Sequence, residues 1–214
     1  TYIQSASLYY EFMEEKEPAI FERIKAKVKE GKWIPIGGTY LEFDPNMPHG
    51  ESLARHILYG KRYFYEKFGV DVDTFWLPDS FGFPASLPKL LRAGGMKYFA
   101  THKLKWNDTT EFPYYLFWWK SVDGSKVLAL HLPGYYNDYL FHIGKILRNF
   151  KFLVKKHKIP LHIEVFGRGD HGGGPEEEEL IRVREWSEEY KGRIEFKYGG
   201  IGDYLKEIEE KYGD

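Results

Sequence analysis

The chain has 214 residues, the length of one large domain or two small ones, and its 43% hydrophobic and 29% charged content excludes disordered, collagenous and coiled-coil classes. With 31 basic against 32 acidic residues the net charge is −1, so no overall positive field supports nucleic-acid binding. No apolar run approaches the roughly 18–20 residues that would span a bilayer, so no membrane partner is expected. The absence of cysteine excludes disulfides, thiolate metal sites and a cysteine nucleophile, leaving His, Asp and Glu to hold any transition metal. A reducing, cytoplasmic location is the expectation. The 18% aromatic content suits a densely packed core or flat walls that stack on sugar rings.

In chain order, Thr1-Tyr2-Ile3 is strand-like, and Glu15 to Lys29 reads as a helix with Pro18 near its first turn. Trp33 to Ile36 predicts a strand, Gly37-Gly38 a turn, and Thr39 to Phe43 a resumed strand. Apolar residues Leu53, Ile57, Tyr63 and Phe64 recur at helical spacing from Gly50 to Phe68, and Gly69 stops that helix. The short apolar run Thr74 to Leu77 predicts a buried strand, Leu87 to Arg92 a helix, and Tyr98 to Thr101 another strand. Phe117 to Ser121 and Lys126 to Leu132 flank Asp123-Gly124, the signature of a hairpin. Helical spacing returns over Tyr139 to His157, strands are expected at Leu161 to Phe166 and Ile194 to Tyr198, and helices at Glu176 to Tyr190 and about Asp203 to Tyr212. This alternation predicts one α/β domain over residues 1–214, with a parallel sheet covered on both faces, either doubly wound and open or closed as a β/α barrel. A strand-like start without Met and an end just past a helix suggest a piece of a longer polypeptide.

Three segments carry polar groups just after predicted strands, where α/β folds build active sites. Trp76-Leu77-Pro78-Asp79-Ser80-Phe81-Gly82 places the Asp79 carboxylate at a strand mouth, a position that suits catalysis and equally suits a turn or cap. Phe99-Ala100-Thr101-His102-Lys103 could aim His102 or Lys103 into the same pocket. Phe166-Gly167-Arg168-Gly169-Asp170-His171-Gly172-Gly173-Gly174-Pro175 sets two ionisable residues among glycines that permit close backbone approach. It is not a dinucleotide-phosphate loop, because Glu176 to Glu179 put negative charge where a phosphate would bind. Glu42 and Asp44 alternate onto one side of an extended segment, and at least one of them is expected to be a solvated loop carboxylate. Two carboxylates from separate strand ends, Asp79 and Asp170, are what glycoside hydrolysis needs.

On the stretches GGTYLEFDPNMPHGESLARHILYGKRYF (37–64), FGVDVDTFWLPDSFGFPASLPKLLRAGGMKYFATHKLKWND (68–108), FWWKSVDGSKVL (117–128) and FGRGDHGGGP (166–175), the chain resembles the glycoside hydrolase family 38 α-mannosidases. The resemblance implies a seven-stranded β/α barrel, incomplete at both ends here, that hydrolyses α-mannosidic bonds with retention and holds zinc in the sugar subsite. It implies Asp79 as nucleophile and zinc ligand, Asp170 as general acid/base, and a carbohydrate substrate met by Phe81, Lys103 and Tyr136. The His-x-Asp zinc pair of the family's first strand does not occur here, and its later zinc-binding histidine would lie beyond Asp214. His171 stands where related sequences usually have glycine, and Tyr40 where many have tryptophan. The alternatives are a related barrel hydrolase or deacetylase acting on another carbohydrate, and a non-catalytic sugar-binding fragment. A homo-oligomer, or further domains of a longer chain, would be the protein partners.

Overall fold

The computed structural model describes residues 1–134, 136, 142–168 and 172–213. Proline produces the first departure from the sequence pattern. The single helix expected over Glu15 to Lys29 is two, α1 (Ser7–Lys16) and α2 (Pro18–Lys29), broken at Glu17 with Pro18 in the first turn of the second. Proline lacks the N–H a helix interior needs and clashes with the preceding turn, so it starts a helix far more readily than it continues one.

Strands β1 (Tyr2–Gln4) and β2 (Trp33–Pro35) pair in parallel. Helix α3 (Gly50–Phe68) then leads to β3 (Thr74–Trp76), α4 (Leu87–Ala93) and β4 (Tyr98–Thr101). The expected hairpin forms from β5 (Leu116–Lys120) and β6 (Lys126–His131), with Gly124 at φ 89° in its turn. The second sheet has the order β3-β4-β6-β5, parallel except for the antiparallel edge strand β5. A hydrogen bond from Gly37 N to Thr74 O (2.9 Å) ties the end of β2 to β3. Helices α5 (Ile143–His157), α6 (Glu177–Glu189) and α7 (Ile201–Tyr212) complete the chain.

The sheet is covered on both faces, as the alternation requires. Phe75, Phe99, Val127 and Ala129 pack on one side against Leu53 and Ile57 of α3 and Leu87 and Leu91 of α4. Their strand neighbours Trp76, Tyr98, Ala100, Leu128 and Leu130 point the opposite way, onto Ile201, Leu205 and Ile208 of α7.

The seven-stranded closed barrel is not what the described residues form: they contain six strands, in two sheets. Residues 39–43 turn and bend instead of continuing a strand, and 194–198 are irregular. Segment 161–166 keeps the period of two, with Leu161, Ile163 and Val165 on the core, yet only Phe166 makes a bridge. Alternation buries one face of a segment; a ladder also needs a neighbouring strand in register, and among the described residues none pairs along it.

Gly60, in the middle of α3, is where the loop after β2 meets that helix. A Cβ there would lie 2.2 Å from the Thr39 carbonyl carbon. Gly60→Ala is expected to lower the unfolding free energy in urea by about 2 kcal/mol through overpacking, although alanine favours helix by about 1 kcal/mol. Gly50→Ala, facing open space, serves as the control and should not destabilise.

Candidate active site

The parallel strands β3, β4 and β6 end side by side, and their ladders run on by one step. Leu77 N donates to Ala100 O (3.1 Å), His102 N to Pro78 O (3.3 Å) and Leu132 N to Thr101 O (2.9 Å). The next residues of each strand therefore emerge at one rim. From β3 comes Asp79, from β4 Lys103, and from the segment after β6 Tyr136.

These three side chains meet. Lys103 Nζ lies 2.7 Å from Asp79 Oδ1, and the Tyr136 hydroxyl donates to the same oxygen at 3.2 Å. Lys103 opens a 3₁₀ turn (Lys103–Lys105), which sets residues three apart on one side. Trp106 thereby covers the ammonium, its ring centroid 3.6 Å from Nζ, and Phe81 adds a second ring at 4.9 Å. Phe81 and Trp106 meet edge to face at 5.8 Å. The Lys103 side chain is 8% exposed and that of Asp79 56%. The site thus presents an accessible carboxylate from a buried cation.

Lys105 Nζ donates to Pro133 O and Gly134 O, both at 2.8 Å, and so holds the segment that leads to Tyr136 against the turn. His102 is buried rather than open to the pocket, its ring edge-on to Tyr136 at 5.4 Å. Its carbonyl accepts from His131 Nε2 (3.2 Å), and the His131 ring stacks on Tyr115 at 5.5 Å. Burial, helped by the charge of Lys105, lowers the His131 pKa to about 4.

The loop after β2 closes the other side of the rim. Ser80 Oγ donates to Phe43 O (3.0 Å), binding this loop to the residue after Asp79. Asp44 is the solvated carboxylate of its pair, accepting from Asn46 N (2.8 Å) and Met47 N (3.3 Å) in its own turn. Glu42 differs: it is half-buried and accepts a short hydrogen bond from Ser5 Oγ. The expected alternation onto one side fails because this segment bends instead of extending.

Asp170 and His171 lie outside the described residues. The flanks of their loop close on themselves: Arg168 N donates to Gly174 O (3.2 Å) and Gly173 N to Arg168 O (2.8 Å). Gly167, at φ 123°, leaves room for a Cβ only 3.1 Å from Pro175 N. The acidic start of α6 is capped by its own carboxylate, Glu179 Oε2 accepting from Glu176 N (2.8 Å).

The sequence profile of the glycosyl hydrolases family 38 N-terminal domain matches residues 1–214. The chain belongs to that family. This family 38 chain is 37% identical over 190 residues to a Saccharomyces cerevisiae "Alpha-mannosidase", covering 86% of itself and 17% of that protein. It is 35% identical over 177 residues to the Homo sapiens "Alpha-mannosidase 2C1", again covering 17% of the relative. The chain therefore spans about a sixth of the length of these curated relatives. In fold it is similar to an Enterococcus faecalis α-mannosidase crystal structure, with a TM-score of 0.72 at 19% identity, covering 96% of this chain and 24% of that one. A polysaccharide deacetylase-like structure from Mycobacterium smegmatis shares the fold more distantly, with a TM-score of 0.60 at 13% identity over 94% of this chain and 70% of that one.

Among the described residues no three His, Asp or Glu side chains stand close enough to hold a metal ion. Asp79 Oδ1 is already engaged by Lys103 and Tyr136. One such carboxylate does not make the four-coordinate N/O site zinc requires, so the described residues alone do not fit the metal that the family resemblance implies. Trp106 and Ser5 are site neighbours that the sequence does not single out, and the contact between Ser5 and Glu42 is not foreshadowed by it. The spacing of three between Lys103 and Trp106 was the available signal for the first, whereas Ser5 and Glu42 meet only through the fold.

His131 gives a pH test of this packing. Its folded pKa, about 4, lies below its unfolded value of about 6.5, so between those values the unfolded chain binds a proton that the folded chain does not. Stability should fall as pH drops from about 6.5 to about 4, by an order-of-magnitude 3 kcal/mol, and this contribution should not vary above pH 6.5. Urea midpoints across that range should show the slope, and His131→Gln should flatten it.

Proposed function

We propose that this chain forms the substrate-facing rim of a retaining α-mannosidase, with Asp79 as its nucleophile and Asp170 as its general acid/base. The observation that carries the reading is the strand-end carboxylate of Asp79, accessible yet fixed by Lys103 and Tyr136, in a chain of family 38. We further propose that the barrel closes with segments beyond the six described strands. Asp79 would supply one ligand of a zinc ion completed by side chains outside the described residues. Such an ion would orient sugar hydroxyls; the chemistry below uses only the chain's own groups.

With Oδ1 engaged by the ammonium and the tyrosine hydroxyl, Oδ2, which has no partner among the described residues, is the oxygen that attacks. In the first step Asp79 Oδ2 bonds to the anomeric carbon from the face opposite the leaving group. The bond to the glycosidic oxygen breaks, and Asp170 gives its proton to that oxygen. In the second step Asp170, now a carboxylate, takes a proton from water as the water oxygen attacks the anomeric carbon, and the ester to Asp79 breaks. Two inversions give retention. Lys103 orients Asp79 at the start and receives it again as leaving group. Phe81 and Trp106 shield the Lys103 ammonium from water and offer apolar surface to the sugar ring.

The two carboxylates of a retaining enzyme stand about 5–5.5 Å apart, which is the separation this reading requires of Asp79 and Asp170. The full-length protein should hydrolyse an aryl α-mannoside, releasing α-mannose first when the product anomer is followed by NMR. Asp79→Asn should lower kcat by about 10³-fold or more, and a zinc chelator should abolish turnover. β-Mannose as first product, or an active Asp79→Asn enzyme, would contradict the mechanism.

A further inference from the structure

We propose that Glu42 is a specificity-determining residue of the sugar pocket, accepting hydrogen bonds from hydroxyls of the sugar bound against Asp79. This rests on the mannosidase reading for the identity of the sugar and deepens it.

Position comes first. Glu42 follows β2 in a loop that Ser80 Oγ ties down at Phe43 O (3.0 Å), and Ser80 is the neighbour of Asp79 in sequence. The same loop packs against the segment after Asp79 further on, since a Cβ on Gly82 (φ 108°) would lie 3.1 Å from Asn46 Nδ2. On its other side the Glu42 carboxyl meets Ser5, the residue just after β1. Gly37, just after β2, stands so close that a Cβ there would lie 3.3 Å from Ser5 Cβ and 3.5 Å from Trp76 O. The ends of β1, β2 and β3 therefore converge around this carboxyl, on the rim that carries Asp79.

Satisfaction comes second. A carboxylate offers about four lone-pair sites. Among the described residues Glu42 receives one hydrogen bond, from Ser5, and is paired with no lysine or arginine. Its neighbours at the rim are otherwise committed: Asp79 has Lys103 and Tyr136, and Asp44 caps its own turn. A half-buried carboxyl with unfilled acceptor capacity carries a desolvation cost that donors from a ligand remove. Burial and the negative charge of Asp79 both raise its pKa, opposed by the Ser5 bond, which agrees with a group withdrawn from solvent.

Backbone geometry comes third. The residue that follows Ser5, Ala6, is fully buried at φ 58°, ψ 104°, a conformation seldom taken by a residue with a Cβ. Strain of this kind persists where the surroundings enforce it and clusters at ligand sites. Here it stands at the start of α1, next to Ser5, whose Oγ meets the Glu42 carboxyl.

A sugar fits this arrangement better than a cation or a peptide, because it supplies several neutral donors to carboxyls carried on one rim. The test combines binding with turnover in the full-length protein. Methyl α-mannoside and its four monodeoxy analogues are titrated calorimetrically into the parent protein, Glu42→Gln and Glu42→Ala, and the matching aryl α-mannosides are assayed. Glu42→Ala is expected to weaken binding of the parent sugar and lower kcat/KM by about 10–100-fold, the value of a charged hydrogen bond. Glu42→Gln, which keeps the shape and an acceptor for Ser5, should fold with an unchanged melting temperature and lose less. For one or two deoxy analogues, those lacking the hydroxyl that Glu42 receives, parent and variant should become equal. The same loss on every analogue, or no loss on any, would overturn the proposal. If sugars bind in a Glu42-dependent way but no mannoside is cleaved, the mannosidase reading fails and the role of Glu42 stands. Cleavage that needs Asp79 but ignores Glu42 is the reverse result.

Discussion

The site depends on a lysine ammonium withdrawn from water and left facing a single carboxylate oxygen. Removing a charge from solvent is expensive unless it is paired. Lys103 meets that cost with Asp79 Oδ1 at 2.7 Å and with the faces of Trp106 and Phe81. The pairing is asymmetric. The cation is enclosed and the carboxylate is open, so the Coulomb attraction that fixes Asp79 does not hide it from a ligand. Reversed exposure would give an inert structural ion pair. As it stands, the geometry yields a carboxylate of defined orientation, with one oxygen committed and the other without a partner among the described residues.

Parallel strand pairing turns this local interaction into a site. Strands β3, β4 and β6 start from different parts of the chain but finish in register, so the residues just beyond them share a rim without any long-range contact having to be specified individually. The sheet behind the rim is packed on both faces, with Phe75, Phe99 and Ala129 on one side and Trp76, Ala100 and Leu130 on the other. That double burial gives the strand ends little freedom to drift. Loop contacts then trim the rim. Lys105 anchors the segment that leads to Tyr136 through two backbone carbonyls, and Ser80 anchors the loop that carries Glu42.

Legibility in the sequence follows the range of the interactions involved. Asp79 could be located because a short apolar run ending on Pro-Asp is a local signal, and Lys103 because it follows another such run. The hairpin was readable from Asp123-Gly124, whose turn geometry is set by neighbouring residues. The pattern places Pro18 near the first turn of a helix from Glu15, whereas its missing N–H divides two helices; the N-terminus of α1 carries no side-chain cap that would mark it in the sequence. Alternation groups Glu42 with Asp44, a rule that holds only for extended chain. The Glu42 hydrogen bond comes from Ser5, a residue 37 positions away. Among the described residues, segments 161–166 and 194–198 carry strand-like sequence without a ladder beyond the bridge at Phe166, because pairing is a property of two segments and alternation a property of one.

The central claim is that Asp79 is the carboxylate that bonds to the anomeric carbon. The most direct measurement is to incubate the full-length protein with a fluorinated mannosyl fluoride, which forms the glycosyl-enzyme quickly and hydrolyses it slowly, and to map the labelled peptide by mass spectrometry. The expected result is one sugar on Asp79, within the peptide that contains Trp76 to Phe83. A sugar on Glu42, on Asp170 or on any other carboxylate would contradict the account.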